Sequence, residues 1–324
     1  MVKYYCVFCT IITVLIKKRK GVCVLVFTVF LKEANQESLL EVGSKALHLA
    51  NIINEGVNIP NGFVLKANAL KNFMKEHSLH TQVHKAEFID LFMEAPLPKE
   101  IEKEVLSSYE KLKELTGSVD LSVAVRSSSS AEDLKDASFA GQYETILNVC
   151  DEEQLLYALK QCWASLFSDR VREYAAQKEI SLDAFPMGIL IQEMVFPDVS
   201  GVIFSLNPIT QDPNEIIINA SYGVGEAIVS GIVTPDTFIV NKETKSIMKD
   251  LGLKEVKILP LNNQIVEVET TPEESDSYCL NDEGILALES VTSKLEEFYE
   301  FPVDIEFAIK DDTIFVLQSR PITS

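Results

Sequence analysis

Near the end of the chain, Asp304, Glu306, Gln318 and Arg320 interrupt two otherwise apolar segments, VDIEFAIK and TIFVLQS. The alternation in both segments is that of strands. A carboxylate and an amide oxygen are hard donors suited to Mg2+, and an arginine beside them neutralises phosphate oxygens. Strand parity puts Gln318 and Arg320 on one face, and Asp304 and Glu306 on one face of the partner strand. Whether those faces coincide depends on the connection. A two-residue turn at Asp311 and Asp312 pairs Glu306 with Leu317, whereas a three-residue loop or a bulge brings Glu306 opposite Gln318. A shared metal therefore requires the longer loop or a bulge.

A second candidate cluster lies in VAVRSSSSAEDLKDASFAGQYET, residues 123–145. Arg126 closes a short strand, where its fork can reach a phosphate, and Ser127 to Ser130 offer hydroxyl and backbone donors. Gly141 allows close backbone approach to a ligand, and Thr145 adds one more hydroxyl. The competing reading is a polar loop in which Ser130, Glu132 and Asp133 open a capped helical turn. A glycine-bearing stretch, ASYGVGEAIVSG (220–231), follows a strand, but Ile228 stands where G-x-G-x-x-G needs its third glycine, which disfavours a Rossmann site. His77, His80 and His84 have helical spacing that would suit metal ligands, but Lys75, Glu76 and Lys85 around them mark a solvated face.

These groups need a scaffold, and the hydrophobic pattern supplies one. Residues 44–55 have helical spacing with Leu47, Ala50 and Ile53 as a stripe and Gly56 as a stop. IPNGFVL then reads as a turn into a strand, and residues 67–115 as a helical region with Ile101, Val105 and Leu112 facing inward. LSVAVRS and ETILNV are strands, and 151–178 is one long amphipathic helix with Trp163 in the core. From residue 187 the texture changes to strands (MGILIQEMV, SGVIFSL, EIIINAS, TFIVNKETKSIMKD), with one helix at about 281–299 before the final hairpin. The expected fold class is α+β, an α/β lobe (27–190) followed by a β-rich lobe (191–324).

The formal charge is −20 over 324 residues, and the Lys and Arg of residues 1–32 are offset by no acid, so the rest is more acidic still. Such a body repels phosphate backbones and excludes nucleic acid as the expected partner. The six cysteines show no repeating pattern and suit a reducing cytoplasm. Cys6 and Cys9 form a C-x-x-C without a second pair and read as apolar filler. Residues 1–26 are an atypical extension: the apolar run Tyr4–Ile16 is shorter than the roughly 20 residues that span a bilayer. An unusual extension and an upstream start that is not the natural one are together favoured over a membrane-associating anchor.

Taken in order, VGSKALHL (42–49), residues 123–145, ILIQEMV (189–195), GVGEAIVSGIVTPDTF (223–238) and DIEFAIKDDTIFVLQSRPIT (304–323) resemble one family. It is the nucleotide-binding domain shared by phosphoenolpyruvate synthase, pyruvate, phosphate dikinase and rifampin phosphotransferase, of the two-lobed ATP-grasp class. The resemblance implies ATP and Mg2+ as ligands. It makes Lys45 and Arg126 phosphate-contacting cations, with Gly141 and Thr145 in a loop over the phosphates. It further implies Gln192 near the adenine, Glu306 and Gln318 as Mg2+ ligands, and Arg320 as a phosphate-binding arginine. Lys45, Arg126 and Arg320 are then the expected catalytic cations.

Two departures from the family pattern stand out. Where the family writes G-G-K-G, this chain has Gly43, Ser44, Lys45 and Ala46, which puts close backbone approach in doubt there. The phosphohistidine and acceptor domains of the family are not expected within these residues, because none of the four histidines lies in a matching motif. The leading expectation is the nucleotide half of a dikinase that phosphorylates a histidine on another domain or chain. A stand-alone ATP-grasp carboxylate ligase and a non-catalytic nucleotide-binding remnant are the alternatives.

Overall fold

The computed structural model describes residues 25–131, 142–178, 186–261 and 264–322. The first half runs β1 (Thr28–Phe30), α1 (Leu39–Ile52), β2 (Gly62–Leu65), α2 (Ala67–Glu76), α3 (Phe88–Glu94), α4 (Lys99–Thr116), β3 (Val123–Ser129), β4 (Thr145–Val149), α5 (Glu152–Ser165), α6 (Asp169–Gln177) and β5 (Met187–Glu193). The second half runs β6 (Val199–Phe204), β7 (Glu215–Tyr222), α7 (Glu226–Val229), β8 (Asp236–Asn241), β9 (Ile247–Asp250), β10 (Val256–Leu261), β11 (Gln264–Glu269), α8 (Pro272–Ser275), α9 (Asp282–Tyr299), β12 (Val303–Lys310) and β13 (Thr313–Pro321).

One sheet has the order β1-β2-β5-β3-β4 and a second β13-β12-β6-β7-β8-β9, while β10 and β11 form a separate hairpin. Every strand pairing within the two sheets is antiparallel, so among the described residues the mixed α/β architecture contains no parallel βαβ unit. A division between residues 190 and 191 falls inside β5, all of whose residues pair with β3 in the first sheet. Of the atypical extension, residues 1–24 lie outside the described residues, and Cys6, Cys9 and Cys23 with them.

Alternating strand residues build the first core. Phe63, Val125, Ile189 and Ile191 cluster with Val105, Tyr109 and Leu112 of α4 and with Leu155, Leu159 and Trp163 of α5. Phe73 stacks on Trp163 at 5.7 Å and meets Phe92 edge-on at 4.9 Å, contacts worth about 0.5–1.5 kcal/mol each beyond their burial. The expected helix over 151–178 is two helices. Ser168 caps α6 by accepting from the Val171 amide, and Leu166 and Phe167 in the break are buried in the core. The amides of Leu166, Phe167 and Ser168 each bond three residues back, which tightens the chain out of α5 before the Ser168 cap starts the second helix. The region 67–115 likewise resolves into α2, α3 and α4, with Pro96 and Pro98 between the last two.

α1 belongs to both sheets. Ala46, Leu49 and Ala50 share one core with Val64 and Leu190 of the first sheet and Ile203, Ile305 and Phe307 of the second. The buried face is therefore rotated from the expected stripe, and Leu47 and Ile53 are only partly buried. Gly43 breaks the helix geometry with φ 76°, so the run that carries Lys45 starts immediately after it. Gly56, at φ 71°, lies four residues beyond the last helical residue.

A buried ion pair anchors the start of β8. Lys254 and Asp236 are both fully buried, with Nζ 2.5 Å from Oδ1. Oδ1 also accepts from the Gly252 amide at 2.8 Å, Oδ2 from the Cys279 amide at 2.7 Å, and Nζ donates to the Gly252 carbonyl at 3.1 Å. Among the described residues the cysteines are free thiols, at positions 150, 162 and 279.

Candidate functional site

A cleft of about 610 Å³ opens between the two sheets. Seven of the eight expected site residues line it: Lys45, Arg126, Thr145, Gln192, Glu306, Gln318 and Arg320. They come from α1, β3, β4, β5, β12 and β13, so only the tertiary fold brings them together. The eighth, Gly141, lies outside the described residues, as do Glu132 and Asp133.

The register of the first sheet explains its share of the site. Arg126 pairs with Thr145 on β4, and Ala124, two residues earlier on the same face, pairs with Gln192 on β5. Gln192 is almost fully buried, and its Nε2 donates to the Pro60 carbonyl at 3.3 Å. Next to it, the Glu193 carboxylate accepts from Asn61 Nδ2 at 3.0 Å, tying β5 to the turn before β2.

The second sheet resolves the question of parity. Lys310 pairs with Thr313 across a two-residue turn, in which Asp311 and Asp312 adopt φ 48° and 60°. That turn alone would set Glu306 against Leu317. A bulge intervenes: Phe307 pairs with Val316 but Glu306 with Gln318, leaving Leu317 as the extra residue. The bulge therefore brings the Glu306 carboxylate and the Gln318 amide to one face, with Asp304 opposite Arg320 beside them.

Charges in the cleft are paired across it and along it. Arg126 Nη2 lies 2.7 Å from Glu306 Oε2, and Nη1 donates to the carbonyl of the bulged Leu317 at 2.9 Å. Its Nε is buried and makes no hydrogen bond among the described residues. Arg320 donates through Nε and Nη2 to Asp304 Oδ2 at 3.0 and 2.7 Å. Below the cleft, Cys162 Sγ faces the Val125 carbonyl, and burial, reinforced by Glu144, pushes its thiol up to about 12. It is a neutral core residue at ordinary pH and supplies no thiolate.

The serine run has a different place from the one its polarity implies. Ser127, Ser128 and Ser129 continue β3 and are fully buried, and none of the four serines lines the cleft. Ser128 Oγ accepts from the Ala46 amide at 3.2 Å, and Ser44 Oγ donates to the Ser129 carbonyl at 3.0 Å. A Cβ on Gly43 would lie 1.9 Å from the Ser128 carbonyl oxygen. The serines are thus small spacers on which α1 docks, and Ser44 and Ala46, the two departures from G-G-K-G, are buried in that contact.

Sequence reasoning missed the apolar lining of the cleft. Leu147, Met194, Val195 and Val224 line it, and Leu147, Met194 and Val224 belong to a small third core with Ala227 and with Ile258 of the β10–β11 hairpin. Gly223, at φ 75°, lets the chain pass there: a Cβ would lie 2.3 Å from the Ile258 carbonyl oxygen, while that carbonyl accepts from the Val224 amide at 2.9 Å. The signal available was the apolar pair in EMV directly after β5. The three histidines do not share a helix face: α2 ends at Glu76, His77 Nε2 lies 2.8 Å from the Pro96 carbonyl oxygen, and His80 and His84 are exposed beyond it.

Comparison with known proteins adds an independent line. The chain is 43% identical over 298 residues to the uncharacterized phosphotransferase YvkC of Bacillus subtilis, covering 92% of this chain and 35% of that protein. It is 33% identical to a probable phosphoenolpyruvate synthase of Methanothermobacter thermautotrophicus (92% and 46% covered) and 33% identical to the phosphoenolpyruvate synthase of Pyrococcus furiosus (92% and 44%). The chain thus spans less than half the length of these relatives. A solved structure of D-alanine-D-alanine ligase from Helicobacter pylori superposes over 88% of this chain and 54% of its own, with a TM-score of 0.36 and 10% identity, too distant to carry argument. Residues 39–324 match the family model of the pyruvate phosphate dikinase AMP/ATP-binding domain, and the chain belongs to that family.

Proposed function

We propose that the cleft binds ATP with Mg2+ and that the chain is the nucleotide half of a dikinase-type phosphotransferase. The single observation that carries this reading is the lining of the cleft. Leu147, Met194, Val195 and Val224 line it together with Lys45, Arg126, Glu306, Gln318 and Arg320, and on the first sheet Leu147 follows the Arg126–Thr145 pair along β4 while Met194 follows Gln192. An apolar slot suits a purine ring, with the Gln192 amide, held by Pro60, as its polar contact. The three cations in the same lining suit a polyphosphate.

The donor set fits Mg2+. Glu306 and Gln318 present oxygen ligands from opposed positions, and Mg2+ is characteristically held by one or two protein oxygens with phosphates and water completing its shell. Bound there, the ion supplies neutralisation of phosphoryl charge. The chain's own contribution is positional. Lys45 and Arg126 come from the α1–β3 side and Arg320 from β13, so developing charge on a phosphoryl group meets cations from both lobes. Thr145 opens β4 rather than lying in a loop over the phosphates, and its pairing with Arg126 sets one more hydroxyl beside that guanidinium.

The acceptor in this reading is a histidine imidazole on another domain or chain. Release of AMP then sends one phosphoryl group of ATP to the imidazole and the other to water or phosphate. The free thiols and the absence, among the described residues, of a helix long and apolar enough to cross a membrane are compatible with the cytoplasm as its location. The test mixes the chain with Mg2+, ATP and a separately expressed histidine-bearing domain of a relative. AMP and phosphohistidine are expected. ADP formed with a small carboxylate would replace this reading with a ligase, and no turnover with either acceptor would leave a nucleotide-binding protein.

A further inference from the structure

The Arg126–Glu306 contact joins two residues with assignments of opposite kind. In the proposed site Arg126 serves phosphate and Glu306 serves the metal, yet here each is the other's counter-ion at 2.7 Å. The contact spans the cleft from β3 to β12, and the Leu317 carbonyl holds the same guanidinium against the bulge. The pair is neither fully buried nor fully exposed, with side-chain exposures of 12% and 29%. Arg126 Nε, buried without a hydrogen bond among the described residues, shows that the guanidinium is not saturated by these partners.

We infer that this ion pair couples nucleotide and metal binding: while it is closed, Arg126 is withheld from phosphate and Glu306 from the metal, and opening it frees both together. A carboxylate neutralised by a guanidinium is a poor ligand for a second cation, because two cations on one carboxylate repel each other. A guanidinium neutralised by a carboxylate is likewise a weaker anion site. Each ligand thus removes the other's competitor, and the affinity gain is reciprocal by linkage. The inference rests on the nucleotide reading above and adds how that site is regulated. It also predicts a sign that the ligand roles alone do not: removing the metal-binding carboxylate strengthens the binding of nucleotide when no metal is present.

The experiment is calorimetric titration of ATP in EDTA into the parent, Glu306→Gln, Arg126→Gln and the double variant. The inference predicts that Glu306→Gln tightens metal-free ATP by about fivefold or more in the parent, the lower end of typical coupling between sites. It predicts no tightening in the Arg126→Gln background, since the competitor's target is already gone. Equal tightening in both backgrounds would reveal general charge repulsion and overturn the inference, as would no tightening in either. Should Arg126→Gln not fold, Arg126→Lys takes its place, and a reduced tightening is expected. Failure of the parent to bind ATP even with Mg2+ would overturn the functional reading and the inference with it. Normal binding with Mg2+ but no interaction between the two variants would overturn the inference alone.

Discussion

Two ion pairs in this molecule have similar lengths and different surroundings. Lys254–Asp236 is fully buried, and two backbone amides and a backbone carbonyl add further hydrogen bonds to it. Arg126–Glu306 borders the cleft, keeps an unsatisfied buried Nε and bridges two sheets. The first ties β8 to the Gly252 and Cys279 backbone, so it fixes one loop geometry. The second is built from groups that a phosphate and a metal can claim. Burial and completeness of hydrogen bonding, not distance, separate a pair that holds the fold from one that can be exchanged.

The comparison breaks most visibly on stability. Lys254→Met leaves Asp236 buried without its counter-ion and is expected to cost about 3–5 kcal/mol in urea unfolding. A smaller loss would mean that water reaches that site. Next in size is the effect of ligand: ATP with Mg2+ at about 100 times its dissociation constant should stabilise the parent by roughly 2.7 kcal/mol, and Lys254→Met, if folded, by the same increment. Under the same conditions Arg126→Ala should gain much less. Without ligand, Arg126→Ala should cost only about 1 kcal/mol, because the Glu306 it leaves behind can be solvated from the cleft.

A third pair extends the series to the surface. Asp198 accepts from the Asp311 amide at 3.1 Å and from Lys310 at 3.0 Å, and these bonds, the amide first, hold its carboxyl below the usual carboxylate value. A lowered folded-state pKa gives stability that is present above the unfolded value and lost as pH falls through the folded one. The melting difference between the parent and Asp198→Asn should therefore be small at neutral pH and vanish in acid below that lowered value. A difference that persists there would assign the effect to the turn rather than to charge.

Much of the site was legible because strand alternation is local. Asp304, Glu306, Gln318 and Arg320 could be placed on faces from the sequence, and Trp163 and the helix ending at Tyr299 could be read from spacing. The bulge could be stated only as a condition, because Leu317 is an ordinary strand residue and Asp tolerates the positive φ of a two-residue turn. The place of the serines is not legible locally, either as donors to a phosphate or as a polar loop, because it is set by α1 docking on β3, a contact between distant segments. The same non-locality hid the apolar lining of the cleft, where the β10–β11 hairpin comes back to Gly223. The break between α5 and α6 was masked by amphipathic spacing that continues through Leu166 and Phe167.

If this cleft is the nucleotide site and Arg126 one of its phosphate contacts, calorimetric titration of ATP with Mg2+ must separate the parent from Arg126→Ala. Saturable binding of one ATP per chain is expected for the parent, weakened by about tenfold or more in the variant, as befits a lost charge-assisted hydrogen bond of about 1.5–3 kcal/mol. Equal affinity of parent and variant for ATP, or no saturable binding by the folded parent, would contradict the account.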